Sequence, residues 1–221
     1  MRLLLIRHGQ TPDNVRGAIG TVLPGPGLTE LGQVQADAVV AALASEPIEA
    51  IYVSTMLRTR LTAEPLAAAL GLDITVVDGL QEIVAGDLEG HTDTEAIHLY
   101  MGTIFSWWQD FGGRIPGGED GNEFYERFTG AIERIAAEHA TGSEKTIAVF
   151  SHGAAIRTWA SWSSLNIDAD ASRAHVLPNT GVVTLEGSPA EGWIVVDWAG
   201  QPVGGAILDD PSAPDPTGET E

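Results

Sequence analysis

Two histidines occupy near-duplicate settings at opposite ends of the chain, Leu5-Ile6-Arg7-His8-Gly9 and Val149-Phe150-Ser151-His152-Gly153. In each, a short apolar run stops at a His-Gly dipeptide, which sets the imidazole on the loop leaving a strand. In an open α/β sheet that is where sites form. The chemistry such a pair points to is phosphoryl transfer, which needs a nucleophile, a cationic cradle for the phosphoryl oxygens and an acid for the leaving oxygen. A neutral His8 can attack phosphorus through one ring nitrogen, provided the other donates to a fixed acceptor. Neighbouring cations favour that neutral form. Arg7 and Arg58 carry the planar fork that grips phosphate oxygens in pairs, which lysine does less well.

The surrounding pattern supplies elements to position these groups. Strands are expected at Leu3 to Ile6, Ala50 to Val53, Asp73 to Val77 and Thr146 to Phe150, with Val182 to Leu185 and Trp193 to Asp197 as a late edge hairpin. Thr29 is placed to cap a helix running to about Ala44. Ser54-Thr55 is placed to cap one through Arg58 that Pro65 bends or restarts. Ala131 to His139 and Ala154 to Ser163 are helical by period. Strands alternating with helices predict an α/β three-layer sandwich, a mainly parallel central sheet with helices on both faces. The stretch from about His91 to Asn122, with Trp107, Trp108 and Phe111, breaks the alternation and is expected as a cap-like insertion facing substrate. Residues 1–208 then form one domain. From Asp209 to Glu221 the chain is acidic, proline-rich and poor in large apolar groups, so a disordered tail is expected.

Composition narrows the function. The 221 residues include no cysteine, so disulfides, thiolate metal sites and a cysteine nucleophile are excluded. The formal net charge of −20, from 31 acids against 11 bases, argues against nucleic acid and anionic membrane as partners. The apolar run before Arg7 is too short for a signal segment or a membrane span, so a cytoplasmic protein is expected.

Taken in order, these residues resemble the histidine phosphatases, or phosphoglycerate mutase-like superfamily, over most of the chain. Arg7-His8-Gly9-Gln10-Thr11 with Asn14 is similar to the family's opening signature, which implies that His8 is phosphorylated and that Arg7 and Asn14 bind the phosphoryl group. Leu28-Thr29 through Gln35-Ala36 resembles the next block. Ser54 to Thr59 with Thr62-Ala63 resembles the block carrying the second phosphate arginine, Arg58, with Thr55 and Met56 where proline and leucine are usual. Leu80-Gln81-Glu82-Ile83 with Gly86 and Glu89-Gly90 implies Glu82 as proton donor. Pro116-Gly117-Gly118-Glu119 resembles the turn before the late helix, with Asp120 where serine is common. Ser151-His152-Gly153 with Ile156-Arg157 resembles the second-histidine block, which implies that His152 bonds the phosphoryl oxygens beside Gly153.

The resemblance implies a two-step transfer without metal or organic cofactor, in which His8 takes the phosphoryl group, Glu82 protonates the departing alcohol, and Glu82 as carboxylate then activates water. The partner is a small phosphorylated metabolite, and a homodimer is left open. Glu89 is the second choice for the acid, and a turn or helix cap is the alternative role for Asn14. Arg157 reads as a structural ion-pair partner, Trp159 and Trp162 as core. Of the adjacent Trp107 and Trp108, only one can be core on a helix face, leaving the other to border the pocket and meet an aromatic or weakly charged leaving group. His91, His98, His139 and His175 lack metal-ligand spacing, which disfavours a metal hydrolase. Between His91 and Pro116 the only base is Arg114, which favours hydrolysis over mutase chemistry. A non-catalytic phosphate-binding member of the fold is the further alternative, and Glu82 argues against it.

Overall fold

The computed structural model describes residues 1–43, 45–139 and 145–218. In chain order the elements are β1 (Arg2–Arg7), α1 (Pro12–Arg16), α2 (Glu30–Leu43), β2 (Ile48–Val53), α3 (Leu57–Leu70), β3 (Ile74–Val76), α4 (Thr94–Ser106), α5 (Gly121–Glu138), β4 (Thr146–Ser151), α6 (Gly153–Ser163), α7 (Ala169–Ala174), β5 (Val182–Ser188) and β6 (Gly192–Trp198). The strands form one sheet in the order β3-β2-β4-β1-β5-β6. The first four in that order pair parallel, and β5 and β6 add an antiparallel edge. The α/β sandwich with a mostly parallel sheet and a late edge hairpin is therefore as expected.

Strand alternation builds the two outer layers. Leu3 and Leu5 point into a core with Phe124, Phe128 and Ile132 of α5 and Ile156 and Trp159 of α6. Leu4 and Ile6 point the other way, onto Val39 and Leu43 of α2 and Ala63 and Leu66 of α3. Central strands covered on both faces need apolar residues at every position, which is how Leu3 to Ile6 reads.

Local chemistry sets the helix ends. Thr29 Oγ1 accepts from the Gly32 amide at 3.0 Å, the cap bond expected at the start of α2, whereas the end expected near Ala44 lies outside the described residues. The helix after β2 differs from expectation. Its N-cap is Met56, without a side-chain bond, and it runs unbroken through Pro65. Ser54 precedes the cap position, where its Oγ accepts from the Met56 amide at 3.2 Å and pairs with Thr59 Oγ1 at 3.0 Å, and it has a further partner in the site. α5 begins ten residues before the expected Ala131, because Asp120 and Glu123 form a reciprocal capping box at Gly121. Asp120, the position where serine is common in the resembling block, is thus the N-cap of α5.

The insertion contributes α4, whose Ala96, Tyr100, Met101 and Ile104 pack into the same core as α5 and α6. It lies on the body of the fold. The acidic tail departs from expectation. Residues 209–218 make specific contacts, among them Gln10 Nε2 to Asp210 at 3.0 Å and a buried pair between Arg7 and Asp215. Apolar burial was the wrong measure there: charge-assisted hydrogen bonds to a buried arginine offset the ordering entropy instead. Residues 219–221 lie outside the described residues. Among the described residues, no helix is long and apolar enough to cross a membrane.

Candidate active site

Strand register brings the two His-Gly loops together. β1 and β4 are adjacent and parallel, with Ile6 opposite Phe150 and Arg7 opposite Ser151, so His8 and His152 follow at the same level. The His8 amide donates to the Ser151 carbonyl at 3.1 Å. From there the chain leaves β1 toward the α2 and α3 face and leaves β4 toward α6 on the opposite face. That divergence opens a crevice at the C-terminal ends of the two strands.

The two imidazoles lie 5.2 Å apart between ring centroids, both buried. His8 Nδ1 donates to the Gly9 carbonyl at 2.8 Å, which fixes the tautomer and leaves Nε2 as the nitrogen with a lone pair. Burial holds the His8 pKa well below its usual value, and the positive charges of Arg58 and Arg7 push it the same way. His152 is likewise held neutral by burial first and then by Arg58. Its Nε2 bonds Ser54 Oγ at 2.8 Å, and its Nδ1 has no hydrogen-bond partner among the described residues. Ser54 therefore orients this histidine.

Arg58 and Asn14 line a cleft with His8, Thr11, Asp13, Ala18, Gly20, Thr21, Glu82 and Thr217. Arg58 reaches it from the first turn of α3, its Nη2 donating to the Gly20 carbonyl at 2.9 Å. Burial lowers its pKa to about 10, so the guanidinium remains charged at neutral pH. Asn14 has both roles weighed for it in the sequence. Its Oδ1 accepts from the Thr11 amide at 2.9 Å in the capping box of α1, and its Nδ2 is thereby aimed at Asp215 Oδ1, 3.1 Å away. Arg7 is fully buried. Its Nη1 donates to the Leu177 carbonyl at 2.8 Å and its Nη2 to Asp215 Oδ1 at 2.8 Å. Gly153 starts α6 under this arginine, and a Cβ there would lie 2.8 Å from the Thr217 carbonyl oxygen and 3.0 Å from Arg7 Nε. Only glycine fits that approach.

Glu82 sits at the N-terminus of α6. Its Oε1 accepts from the Ile83 and Ala155 amides at 2.9 and 2.8 Å, and its Oε2 from the Ala154 amide at 3.1 Å. Burial raises its pKa, against the opposing pull of those amides and Arg58. The loop that carries it is pinned through its carbonyls. Arg127 of α5 donates to the carbonyls of Gly79, Gln81 and Glu82, Ser151 Oγ to that of Leu80, and Tyr100 of α4 to that of Ile83, all at 2.7–3.0 Å. Glu119 holds Arg127 with both carboxylate oxygens. Arg127, Tyr100, Ser54 and Glu119 escaped the sequence reading as site residues, because they act through backbone atoms, a histidine distant in sequence or, for Glu119, through Arg127. Glu89 faces elsewhere, accepting from Thr21 and Val22 amides and so fixing the wall of the cleft.

The aromatic pair of the insertion is not at the cleft. Trp107 is wholly buried and stacks on Phe124, while Trp108 meets Trp162 edge-on. The expected contact of either ring with a leaving group is therefore withdrawn. Trp159 is core, its Nε1 donating to Thr129. Among the described residues, no group of three or more His, Asp or Glu is disposed to hold a metal.

Residues 3–200 match the family model of the histidine phosphatase superfamily (branch 1). PE-PGRS family protein PE_PGRS11 of Mycobacterium tuberculosis is 38% identical over 217 residues, which cover 92% of this chain and 37% of that protein. The chain thus spans well under half the length of that relative. The probable phosphoglycerate mutase GpmB of Salmonella choleraesuis is 32% identical over 207 residues, 92% of this chain and 93% of that one. Among solved structures, mycobacterial glucosyl-3-phosphoglycerate phosphatase complexed with VO3 is similar with a TM-score of 0.76 and 25% identity, covering 90% of this chain and 98% of that one.

Proposed function

The chain belongs to the histidine phosphatase superfamily, branch 1, and from that premise we propose that it is a metal-independent phosphomonoester hydrolase working through a phosphohistidine on His8. The observation that carries this reading is the fixed tautomer of His8: Nδ1 is tied to the Gly9 carbonyl, and Nε2 stands free in a cleft shared with Arg58, Asn14 and Glu82. His8 Nε2 attacks phosphorus as the bond to the ester oxygen breaks, and Glu82 delivers its proton to that oxygen. Arg58, Arg7, Asn14 and His152 Nδ1 stabilise the phosphoryl oxygens. In the second step Glu82, now a carboxylate, takes a proton from the water that displaces His8, restoring the starting state.

Hydrolysis is favoured over mutase chemistry by Arg114. The insertion's only base between His91 and Pro116 is spent on Glu123 and Asp120, at 2.8 and 2.6 Å, and is not offered to a substrate carboxylate. The reading places the protein in the cytoplasm with a small phosphorylated metabolite as its partner, and gel filtration decides whether it acts as a homodimer. The test is a burst-quench assay on a panel of phosphate monoesters and on 3-phosphoglycerate with and without its bisphosphate. Free phosphate released in the presence of chelator, with an acid-labile, base-stable phosphoenzyme, is expected. Isomerised phosphoglycerate with little free phosphate would make the protein a mutase, and loss of activity with chelator would sink the mechanism.

Arg127 acts here as a positioning residue, through the loop that carries Glu82. Arg127→Met is expected to lower kcat by about 10- to 100-fold, since a shift near 1 Å in a reacting group costs up to about 10²-fold. Phosphate affinity should change little, and the alkaline limb of the pH profile should move. Arg127→Lys should restore part of kcat. Equal losses in kcat and phosphate affinity would indicate a general collapse of the site instead.

A further inference from the structure

The phosphate cradle already holds a carboxylate. Asp215 spans the guanidinium of Arg7, with Oδ1 2.8 Å from Nη2 and Oδ2 2.5 Å from Nη1, and its Oδ1 also accepts from Asn14 Nδ2. A planar carboxylate in an arginine fork, steadied by an amide, reproduces the contacts of two oxygens of a phosphate monoester. Arg7 is fully buried and Asp215 is 8% exposed, so solvent screens the pair little. Thr217 adds its Oγ1 to Arg7 at 3.1 Å and its carbonyl to Arg157 Nη1 at 3.3 Å. The Gly218 carbonyl accepts from the Leu177 amide at 2.8 Å, and a Cβ on Gly218 would collide with Arg7 Nη1. With this segment in place Thr217 lines the cleft beside His8, and the Arg7 and Asn14 donors that would meet phosphoryl oxygens are taken by Asp215.

We propose that Asp215–Gly218 is a built-in competitor of the substrate, a strap whose Asp215 carboxylate occupies Arg7 and Asn14 and must withdraw before a phosphoryl group binds. The inference rests on the phosphate-binding reading of the cleft. The strap is anchored beyond the site by Gln10 to Asp210 and by the buried Ala213, so it competes from within the same chain at a fixed, high local concentration. Apparent affinity for phosphate then falls by the fraction of molecules in which the strap is out.

The experiment titrates the full chain with inorganic phosphate, by calorimetry and by competition with orthovanadate, for wild type, Asp215→Asn and Asp215→Ala. Asp209→Asn is the control. It removes the same charge from the same tail, and among the described residues the Asp209 carboxylate bonds only the neighbouring Asp210 amide. Both Asp215 variants are expected to bind phosphate about tenfold tighter or more, as for a strap seated in about 90% of molecules, with the control unchanged. Unaltered or weaker binding in the Asp215 variants, with wild-type melting temperature, overturns the proposal, because Asp215 would then be a fixed support for Arg7. Monoester turnover on the same samples separates the two readings. Tighter phosphate binding without turnover keeps the strap and sinks the hydrolase, whereas turnover with an unmoved phosphate Kd does the reverse. Phosphate binding by no variant overturns both.

Discussion

His8→Ala is expected to lower kcat by about 10⁴-fold or more and to abolish the phosphoenzyme, the scale seen when an activated nucleophile is removed from a covalent mechanism. The reason lies in how many features converge on one nitrogen. The Gly9 carbonyl holds the Nδ1 proton, so the reactive lone pair of Nε2 needs no prior deprotonation. Burial, Arg58 and Arg7 keep the ring neutral well below the usual imidazole pKa, so the nucleophile stays competent into mildly acidic solution. The alanine variant retains Arg58, Asn14 and His152, and phosphate should bind it within a few-fold of wild type. Rapid-quench measurement of acid-labile, base-stable phosphate decides the matter. A labelled enzyme in the absence of His8 would move the nucleophile elsewhere, with His152 next in line.

Much of this site was legible because its residues flank strands whose pattern is plain. Leu3 to Ile6 and Thr146 to Phe150 are continuous apolar runs, each cut off by His-Gly, and their parallel pairing follows from the α/β alternation. The side chains that support the site were less visible. Arg127 lies on α5 among other charged residues and becomes a clamp only because the carbonyls of Gly79, Gln81 and Glu82 arrive beneath it. Ser54 reads as a helix cap by position, and beside its bond from the Met56 amide its hydroxyl also reaches His152 across adjacent strands β2 and β4. Asp215 lies in a segment whose composition predicts disorder, and it is held by partners far off in sequence, the buried Arg7 and Asn14. Periodicity reports burial, whereas these contacts depend on distant partners that periodicity does not encode.

Glu82→Gln should separate the two chemical steps. The reactive form needs His8 neutral and Glu82 protonated, so kcat/KM for wild type is expected to rise with pH through the lowered His8 pKa and to fall through the raised Glu82 pKa. Glutamine cannot ionise, so the alkaline limb should vanish while the acid limb remains. For an alkyl phosphate, whose leaving oxygen requires the proton, phosphorylation of His8 should slow by about 10²- to 10⁴-fold. For p-nitrophenyl phosphate the leaving group needs little help, and the burst of nitrophenol should survive nearly intact. Its steady-state rate should still collapse, because water attack on the phosphohistidine lacks its base whatever the leaving group was. Phosphoenzyme therefore accumulates with the activated ester and not with the alkyl ester. One amide hydrogen of the glutamine must face the Ala154 or Ala155 N–H, a cost of about 1–3 kcal/mol in stability that a melting curve registers separately. An alkaline limb persisting in Glu82→Gln would assign the proton to another acid, and Asp13, the other carboxylate lining the cleft, is where the search would resume.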